Sequence, residues 1–152
     1  MRTTITIRDS LETLPFFEGM PPEDLEFLAG CAAYARYKSG DFLLLSGQNA
    51  EAFYVLLEGD VALEMAASNR TLTAQTLHGG DVLGWSWLVP PYQWHFDARA
   101  LGPLSTIRFD AVCLRDKLEN NPRFGYEMYK RIVQIITQRL HERLVQVMDV
   151  YQ

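Results

Sequence analysis

The spacing of apolar and polar positions changes along the chain and divides it into a helical start, a series of strands and a helical end. The segment "LPFFEGMPPEDLEFLAGC" predicts a short helix, because Pro22 suits a first helical turn and the acidic residues after it favour a helix N-terminus. The period-two segment "AFYVLLEGDVALEMAA" is the clearest β-hairpin, with its turn at Gly59-Asp60. Further strands are predicted at "TLTAQTL" and "STIRFD", and together the strands cover about residues 34–110.

Helical spacing returns after the strands, over about residues 111–150. Asp110 is a suitable N-cap for "AVCLRDKLEN", and Asn121 precedes Pro122 at the start of a long second helix. Short strands with glycine-containing turns favour a roll, sandwich or barrel. We therefore predict a single α+β domain over residues 1–152.

Two apolar stripes lie along the last helix. The first consists of Phe124, Met128, Ile132 and Ile135, and the second of Tyr129, Val133, Ile136, Leu140, Val147 and Val150. The second stripe has the spacing of heptad a and d positions, although Arg143 interrupts it. A helix that packs on one core needs only one stripe, so the second predicts a parallel homodimer. The alternative is one broad stripe that packs on a single core.

Composition and charge exclude several kinds of protein. The 152 residues are 48% hydrophobic and 22% charged, and the net charge of -5 argues against DNA binding, which needs a basic face. No apolar run approaches the roughly 18 residues of a membrane span, and the N-terminus lacks a secretory signal. Cys31 and Cys113 have apolar neighbours and no CxxC partner. We expect them to be reduced packing residues in a cytoplasmic protein rather than a disulfide.

Besides the order of these elements, the sequence itself resembles a known family from about residue 14 to residue 150. The segments "LPFFEGMPPEDLEFLA", "SGDFLLLSGQNAEAFYVLLEGDVAL", "LHGGDVLG" and "ENNPRFGYEMYKRIVQIITQRL" resemble cyclic nucleotide-binding domains, as found in bacterial cAMP receptor proteins and in the regulatory domains of kinases and channels. The resemblance implies an antiparallel β-roll of the double-stranded jelly-roll type, with an N-terminal helix and long C-terminal helices. It also implies a phosphate-binding cassette, in which the short helix "WSWLV" starts at Gly84 and offers free N–H groups to a phosphate.

The candidate cassette departs from the pattern that this family uses for cAMP. Trp85 stands where a glutamate would accept a hydrogen bond from the ribose, and His95 falls nearest the position of the phosphate-binding arginine. Arg99 would share a strand face with His95 and Asp97. The candidate ligand-binding residues are Val82, Leu83, Gly84, Trp85, Ser86, Trp87, His95, Phe96, Asp97 and Arg99.

The aromatic residues around the cassette do not decide whether a ligand binds there or which one. Trp85, Trp87, Tyr92, Trp94, His95 and Phe96 could fill the pocket as a solid core, line an apolar cavity for another ligand, or still admit a cyclic nucleotide. We expect a stand-alone sensor or regulatory module of bacterial type that does not bind cAMP in the usual way. The alternatives are a ligand-free protein-interaction scaffold and a true cyclic-nucleotide receptor. We expect no enzyme activity, cofactor, metal or membrane partner. We also expect no DNA partner, because the sequence reaches only "VMDVYQ", where a helix-turn-helix begins in the transcription factors of this family.

Overall fold

The computed structural model describes residues 6–150, with side chains up to Asp149. These residues form two compact units, one up to Asp116 and one from Lys117 onward. The first unit begins with α1 (Ile7–Glu12), a 3-10 helix (Pro15–Phe17) and α2 (Pro22–Ala29). Eight strands follow: β1 (Ala32–Tyr37), β2 (Phe42–Leu44), β3 (Ala52–Glu58), β4 (Val61–Ala67), β5 (Arg70–Leu77), β6 (Val82–Leu83), β7 (Asp97–Ala100) and β8 (Leu104–Asp110).

The strands form two antiparallel sheets, as expected for a β-roll. One sheet has the order β1-β8-β3-β6 and the other has the order β2-β7-β4-β5. The predicted strands β3 and β4 and the connection at Gly59-Asp60 are confirmed, but the predicted hairpin is wrong, because the two strands belong to different sheets and do not pair with each other. The connection at Gly59-Asp60 joins the two layers of the roll, and β4 pairs instead with β5 and β7.

Strand β3 is buried on both faces, which explains why its sequence is apolar almost throughout. One face presents Phe53 to an aromatic cluster of Phe16, Phe17, Phe53, Trp87 and Phe109, in which neighbouring ring centroids lie 4.8–6.1 Å apart. The other face carries Tyr54, whose ring lies 6.1 Å from that of Tyr37 and whose hydroxyl accepts a hydrogen bond from it. An alternation of apolar and polar residues is expected only where one face meets water.

The prediction that Cys31 and Cys113 are reduced packing residues is wrong, because the two cysteines form a disulfide. Cys31 directly precedes β1, and β1 pairs with β8 so that Ala32 lies opposite Phe109. This register brings the residue before β1 next to the residues after β8, and the two cysteine Cα atoms lie 5.7 Å apart. Their sequence separation of 82 conceals this proximity.

Helix α3 (Ala111–Asn120) begins in the first unit and ends in the second, and α4 (Pro122–Val150) follows it. The predicted N-cap Asp110 is confirmed, and Asn121 caps α4 in the same way. Asp110 accepts a hydrogen bond from the amide of Cys113 at 3.0 Å, and Asn121 accepts one from the amide of Phe124 at 3.2 Å. Within residues 6–150, no helix combines the length and apolar composition needed to cross a bilayer.

The two stripes of α4 differ in exposure. In the first stripe, Phe124, Met128 and Ile132 are buried and Ile135 is half-buried. In the second, Tyr129, Val133, Leu140 and Val147 are 45–58% exposed and Ile136 is half-buried. The side chain of Val150, the last predicted member of the second stripe, lies outside the described residues.

Candidate functional site: the cassette

The cassette begins where β6 ends at a left-handed glycine. Gly84 has a φ of +95°, a conformation that glycine adopts without steric cost. Trp85 is also non-helical, so the helix predicted to start at Gly84 is a single 3-10 turn over Ser86–Leu88. The left-handed backbone at Gly84 explains this difference, because a residue with that φ cannot belong to a right-handed helix.

Trp87 points away from the cassette surface and into the core. It is fully buried, its ring centroid lies 5.5 Å from that of Phe53, and its indole N–H donates to the carbonyl of Gly84 at 3.2 Å. The hydrogen bond satisfies the one polar group of a buried tryptophan. Trp87 therefore anchors the cassette to the aromatic cluster.

The chain returns from the 3-10 turn alongside the loop that follows β2. The Pro90-Pro91 bond is cis and Tyr92 has a positive φ of 56°. The carbonyl of Tyr92 accepts a hydrogen bond from Ala50 at 2.7 Å, and the amide of Trp94 donates to Gln48 at 3.0 Å. This pairing fixes the position of Trp94 over the start of the cassette.

The indole of Trp94 closes over Gly84 and leaves little free space. The cleft beside it is lined by Leu44, Leu63, Leu83, Gly84, Trp85, Ser86, Trp94, His95 and Phe96. Its volume is about 30 Å³, whereas pockets for small-molecule ligands usually measure roughly 300 Å³ or more. Most of the side chains around this space are apolar, and Trp94 is only 7% exposed.

Arg99 lies on the face of its sheet opposite the cleft. Leu63, which lines the cleft, is paired with Ala98 in the register of β4 and β7. Alternate residues face opposite sides, so Arg99 and Glu64 share the other face. Arg99 Nε donates to Glu64 Oε1 at 2.6 Å, and this hydrogen bond raises the pKa of the guanidinium. Since the Glu64 side chain is 9% exposed, the pair neutralises a carboxylate that is almost buried.

Asp97 is also engaged in the structure of the roll. Its carboxylate accepts a hydrogen bond from the amide of Ser46 at 2.7 Å. The contact joins the start of β7 to the loop after β2. Neither Asp97 nor Arg99 lines the cleft.

Arg115 of α3 holds the far side of the cassette. It donates from one terminal nitrogen to the carbonyl of Trp87 at 2.9 Å and to the carbonyl of Ala50 at 3.3 Å. Its guanidinium carbon lies 4.6 Å from the ring centroid of Tyr92, a cation–π distance. One side chain thus joins α3 to both ends of the cassette turn.

The structure therefore groups only some of the predicted site residues. Leu83, Gly84, Trp85, Ser86, His95 and Phe96 line the cleft; Val82 and Trp87 are buried. Sequence reasoning did not find Leu44 and Leu63, which come from other strands, or Arg115, which comes from a helix. The alternation of β4 could have indicated Leu63, but nothing in the local sequence distinguishes Arg115 from other basic residues of the helices.

Comparison with known proteins identifies a family to which this chain is similar. The model of the cyclic nucleotide-binding domain matches residues 34–121. A candidate cyclic nucleotide-binding protein from Geobacter metallireducens GS-15 is similar with a TM-score of 0.81 and 25% identity, over 89% of this chain and 98% of that one. No curated protein is similar enough to count as a match.

Two further solved structures share the fold. A cyclic nucleotide-binding domain from Methylobacillus flagellatus KT has a TM-score of 0.78 at 18% identity, over 94% of this chain and 81% of that one. The sensor domain of the transcriptional regulator DNR from Pseudomonas aeruginosa has a TM-score of 0.69 at 18% identity, over 90% of this chain and 93% of that one. The family model covers more than half of this chain, and the fold of this chain is similar to those of the solved structures. The chain therefore belongs to the cyclic nucleotide-binding domain family.

Proposed function

We propose that this chain is a cytoplasmic regulatory module whose cassette is filled by its own aromatic side chains and does not bind cAMP in the usual way. The single observation that carries the proposal is the position of Trp94, which covers Gly84 and leaves a cleft of about 30 Å³. A nucleotide would have to displace this indole before it reached the amides after Gly84. Exposing a buried indole costs free energy, because a large apolar surface returns to water.

The charges around the cleft support the same conclusion. A cyclic phosphate needs a cation, and the nearby guanidinium of Arg99 is paired with Glu64 on the other face of the sheet. Turning Arg99 toward the cleft would leave Glu64 almost buried without its partner, which is strongly unfavourable. His95 is exposed at the rim and is the only histidine that lines the cleft.

The ribose contact is also changed. In the position where the family pattern has a glutamate, Trp85 presents a half-buried indole to the cleft. An indole N–H can donate a hydrogen bond but cannot accept one. The hydroxyl of a bound ribose would therefore lose its acceptor as well as the space that it occupies.

Rebuilding the site tests this proposal. The double variant Trp85→Glu with His95→Arg supplies the acceptor and the cation, and the triple variant adds Trp94→Ala to open the space. We expect the double variant to remain unable to bind cAMP, because Trp94 still fills the cleft, and the triple variant to gain binding. Calorimetry would contradict the proposal if the double variant bound cAMP with a Kd below about 10 μM.

The second part of the proposal concerns assembly. We propose that the exposed stripe of α4 pairs with the same stripe of a second copy to form a parallel homodimer. The stripe continues past the interruption at Arg143, since Leu144 is 54% exposed and follows Leu140 by one helical turn. Leu140, Leu144 and Val147 together span one heptad, so the stripe returns to its original spacing at Val147.

A charge in the stripe tests the dimer. Val133 is 56% exposed, so Val133→Asp should leave the protomer folded but bury a carboxylate in the seam. The matched control is Gln134→Asp, which places the same charge at the neighbouring exposed position outside the heptad a and d positions. Sedimentation should show a dimer for the natural chain and the control, and a monomer for Val133→Asp. A natural chain that is monomeric at micromolar concentration would refute the assembly without affecting the proposal about the cassette.

A further inference from the structure

The disulfide between Cys31 and Cys113 connects two parts of the first unit that the backbone joins only through the whole roll. Cys31 lies between α2 and β1, and Cys113 lies in the first turn of α3. Cys31 is 8% exposed, whereas Cys113 is half-buried and follows Val112, which is 61% exposed. Cys113 is therefore the more accessible of the two cysteines to a small molecule in solution.

The first turn of α3 is held in place by other contacts as well. The amide of Ala111 donates to the carbonyl of Glu51 at 3.0 Å, and the amide of Asp110 donates to the carbonyl of Cys31 at 2.8 Å. Ala111 and Leu114 are fully buried, and Arg115 binds the cassette. These contacts are independent of the sulfur–sulfur bond, so we expect the unit to remain folded when that bond is broken.

The size of the chain argues against a purely structural disulfide. Small domains that cannot build a sufficient core depend on disulfides, but a chain of 152 residues has no such need. In a reducing compartment, where we place this module, the disulfides that do form are usually transient and serve redox chemistry. An accessible cysteine at one end of the bond suits that use.

We propose that Cys31 and Cys113 form a reversible redox site that exchanges with low-molecular-weight thiols and disulfides of the glutathione class. A thiolate attacks the sulfur of Cys113, the Cys31 sulfur leaves and takes up a proton, and a mixed disulfide remains at Cys113. A second thiol attacks the outer sulfur of that mixed disulfide, and Cys113 leaves and takes up a proton. The net reaction consumes two small thiols and gives two protein thiols and one small disulfide, so two electrons and two protons pass to the protein.

The element that responds is the first turn of α3. In the oxidised form, this turn is covalently joined to the start of β1 and hydrogen-bonded through Arg115 to the cassette. In the reduced form only the noncovalent contacts remain. The redox state of one bond therefore controls how firmly the first turn of α3 is held to the roll. The inference rests on the proposed cytoplasmic location but does not depend on ligand binding or dimerisation.

Native-state redox titration tests the inference. The natural chain is equilibrated in glutathione buffers that range from oxidising to as reducing as a cell interior, and free thiols are trapped with a maleimide and counted by mass spectrometry. We expect two thiols per chain to appear reversibly while the circular dichroism spectrum remains that of the folded protein. Thiols that appear only after denaturant is added, or reduction that unfolds the chain, would show a structural disulfide and overturn the proposal.

Hydrogen exchange shows whether the helix responds. In the reduced natural chain, the amides of residues 111–115 should exchange roughly tenfold faster than in the oxidised chain, while those of β3 are unchanged. The double variant Cys31→Ser with Cys113→Ser should match the reduced chain in every buffer. Equal exchange of these amides in the oxidised and reduced natural chain would overturn the proposal, and this comparison needs no variant to fold.

Discussion

The indole of Trp94 covers Gly84 so closely that a β-carbon built on the glycine would lie 2.8 Å from Cη2 of the ring. Gly84 also has a positive φ of 95°, so it meets two separate requirements that only glycine satisfies. The contact joins the end of β6 to the segment that precedes β7 and closes the cassette from above.

Gly84→Ala should destabilise the chain more than Gly80→Ala. Gly80 is a matched control because its φ of +92° carries the same backbone cost, while a β-carbon there meets nothing within 4 Å. Each variant should lose about 1–3 kcal/mol for the left-handed backbone, and Gly84→Ala should lose about 1–3 kcal/mol more for displacing the ring. Urea denaturation measures the difference. Equal losses would mean that Trp94 does not rest on Gly84 in solution.

Arg115→Ala should loosen the cassette although Arg115 does not line the cleft. The variant removes two hydrogen bonds to carbonyl groups and the contact with the Tyr92 ring. We expect a loss of about 1–3 kcal/mol in the free energy of unfolding, as for hydrogen bonds made by a charged group. The amides of Leu88, Val89 and Tyr92, which are bonded within the turn, should exchange faster.

Arg70→Ala is the control for this prediction, because it removes the same side chain at an exposed position of β5. It should change the free energy of unfolding by less than about 0.5 kcal/mol and leave cassette exchange unchanged. Similar effects of the two variants would show that Arg115 does not hold the cassette.

The pair of His78 and Asp60 should make stability depend weakly on pH. The Nδ1 atom of His78 lies 2.8 Å from Asp60 Oδ1, and this hydrogen bond raises the pKa of the imidazole. Because the folded pKa lies above the unfolded one, the stabilisation is complete below the ordinary pKa of about 6.5. It is lost as the pH rises through the folded pKa.

NMR titration of the His78 ring checks this directly. In Asp60→Asn, which keeps the size of the side chain and removes its charge, the pKa of His78 should move down toward the ordinary value. Both side chains are more than half exposed, so the effect on stability should be small and should decrease with added salt. An unchanged His78 titration in Asp60→Asn would contradict the assignment.

The sequence predicted the elements well because their signals are local. Proline and acidic residues in the first turn of a helix, Gly59 at a turn, and Asp110 as a cap each act within a few residues. The roll and both final helices followed from such signals and from the order of the motifs, whereas the expected pairing of β3 with β4 does not form because the two strands join different sheets. The exposure of the second stripe on α4 agrees with the predicted seam, while the dimer itself stays a prediction.

What the sequence did not reveal depends on residues that are distant along the chain. The disulfide depends on the register of β1 and β8, and the partner of Arg99 depends on the register of β4 and β7. The helix expected at Gly84 proved shorter because the left-handed glycine and Trp85 lie outside it. Whether Trp94 fills or lines a pocket depended on packing in three dimensions, and no periodicity contains that information.

Calorimetric titration of the natural chain with cAMP and with cGMP tests the central claim most directly. The titration is carried out with the disulfide intact and again after its reduction, so that binding that requires either redox state is detected. With Trp94 on Gly84 and Arg99 paired with Glu64, we predict no saturable heat for either nucleotide at concentrations up to hundreds of micromolar. A Kd below about 10 μM for either nucleotide, equivalent to roughly 7 kcal/mol of binding free energy, would contradict the account.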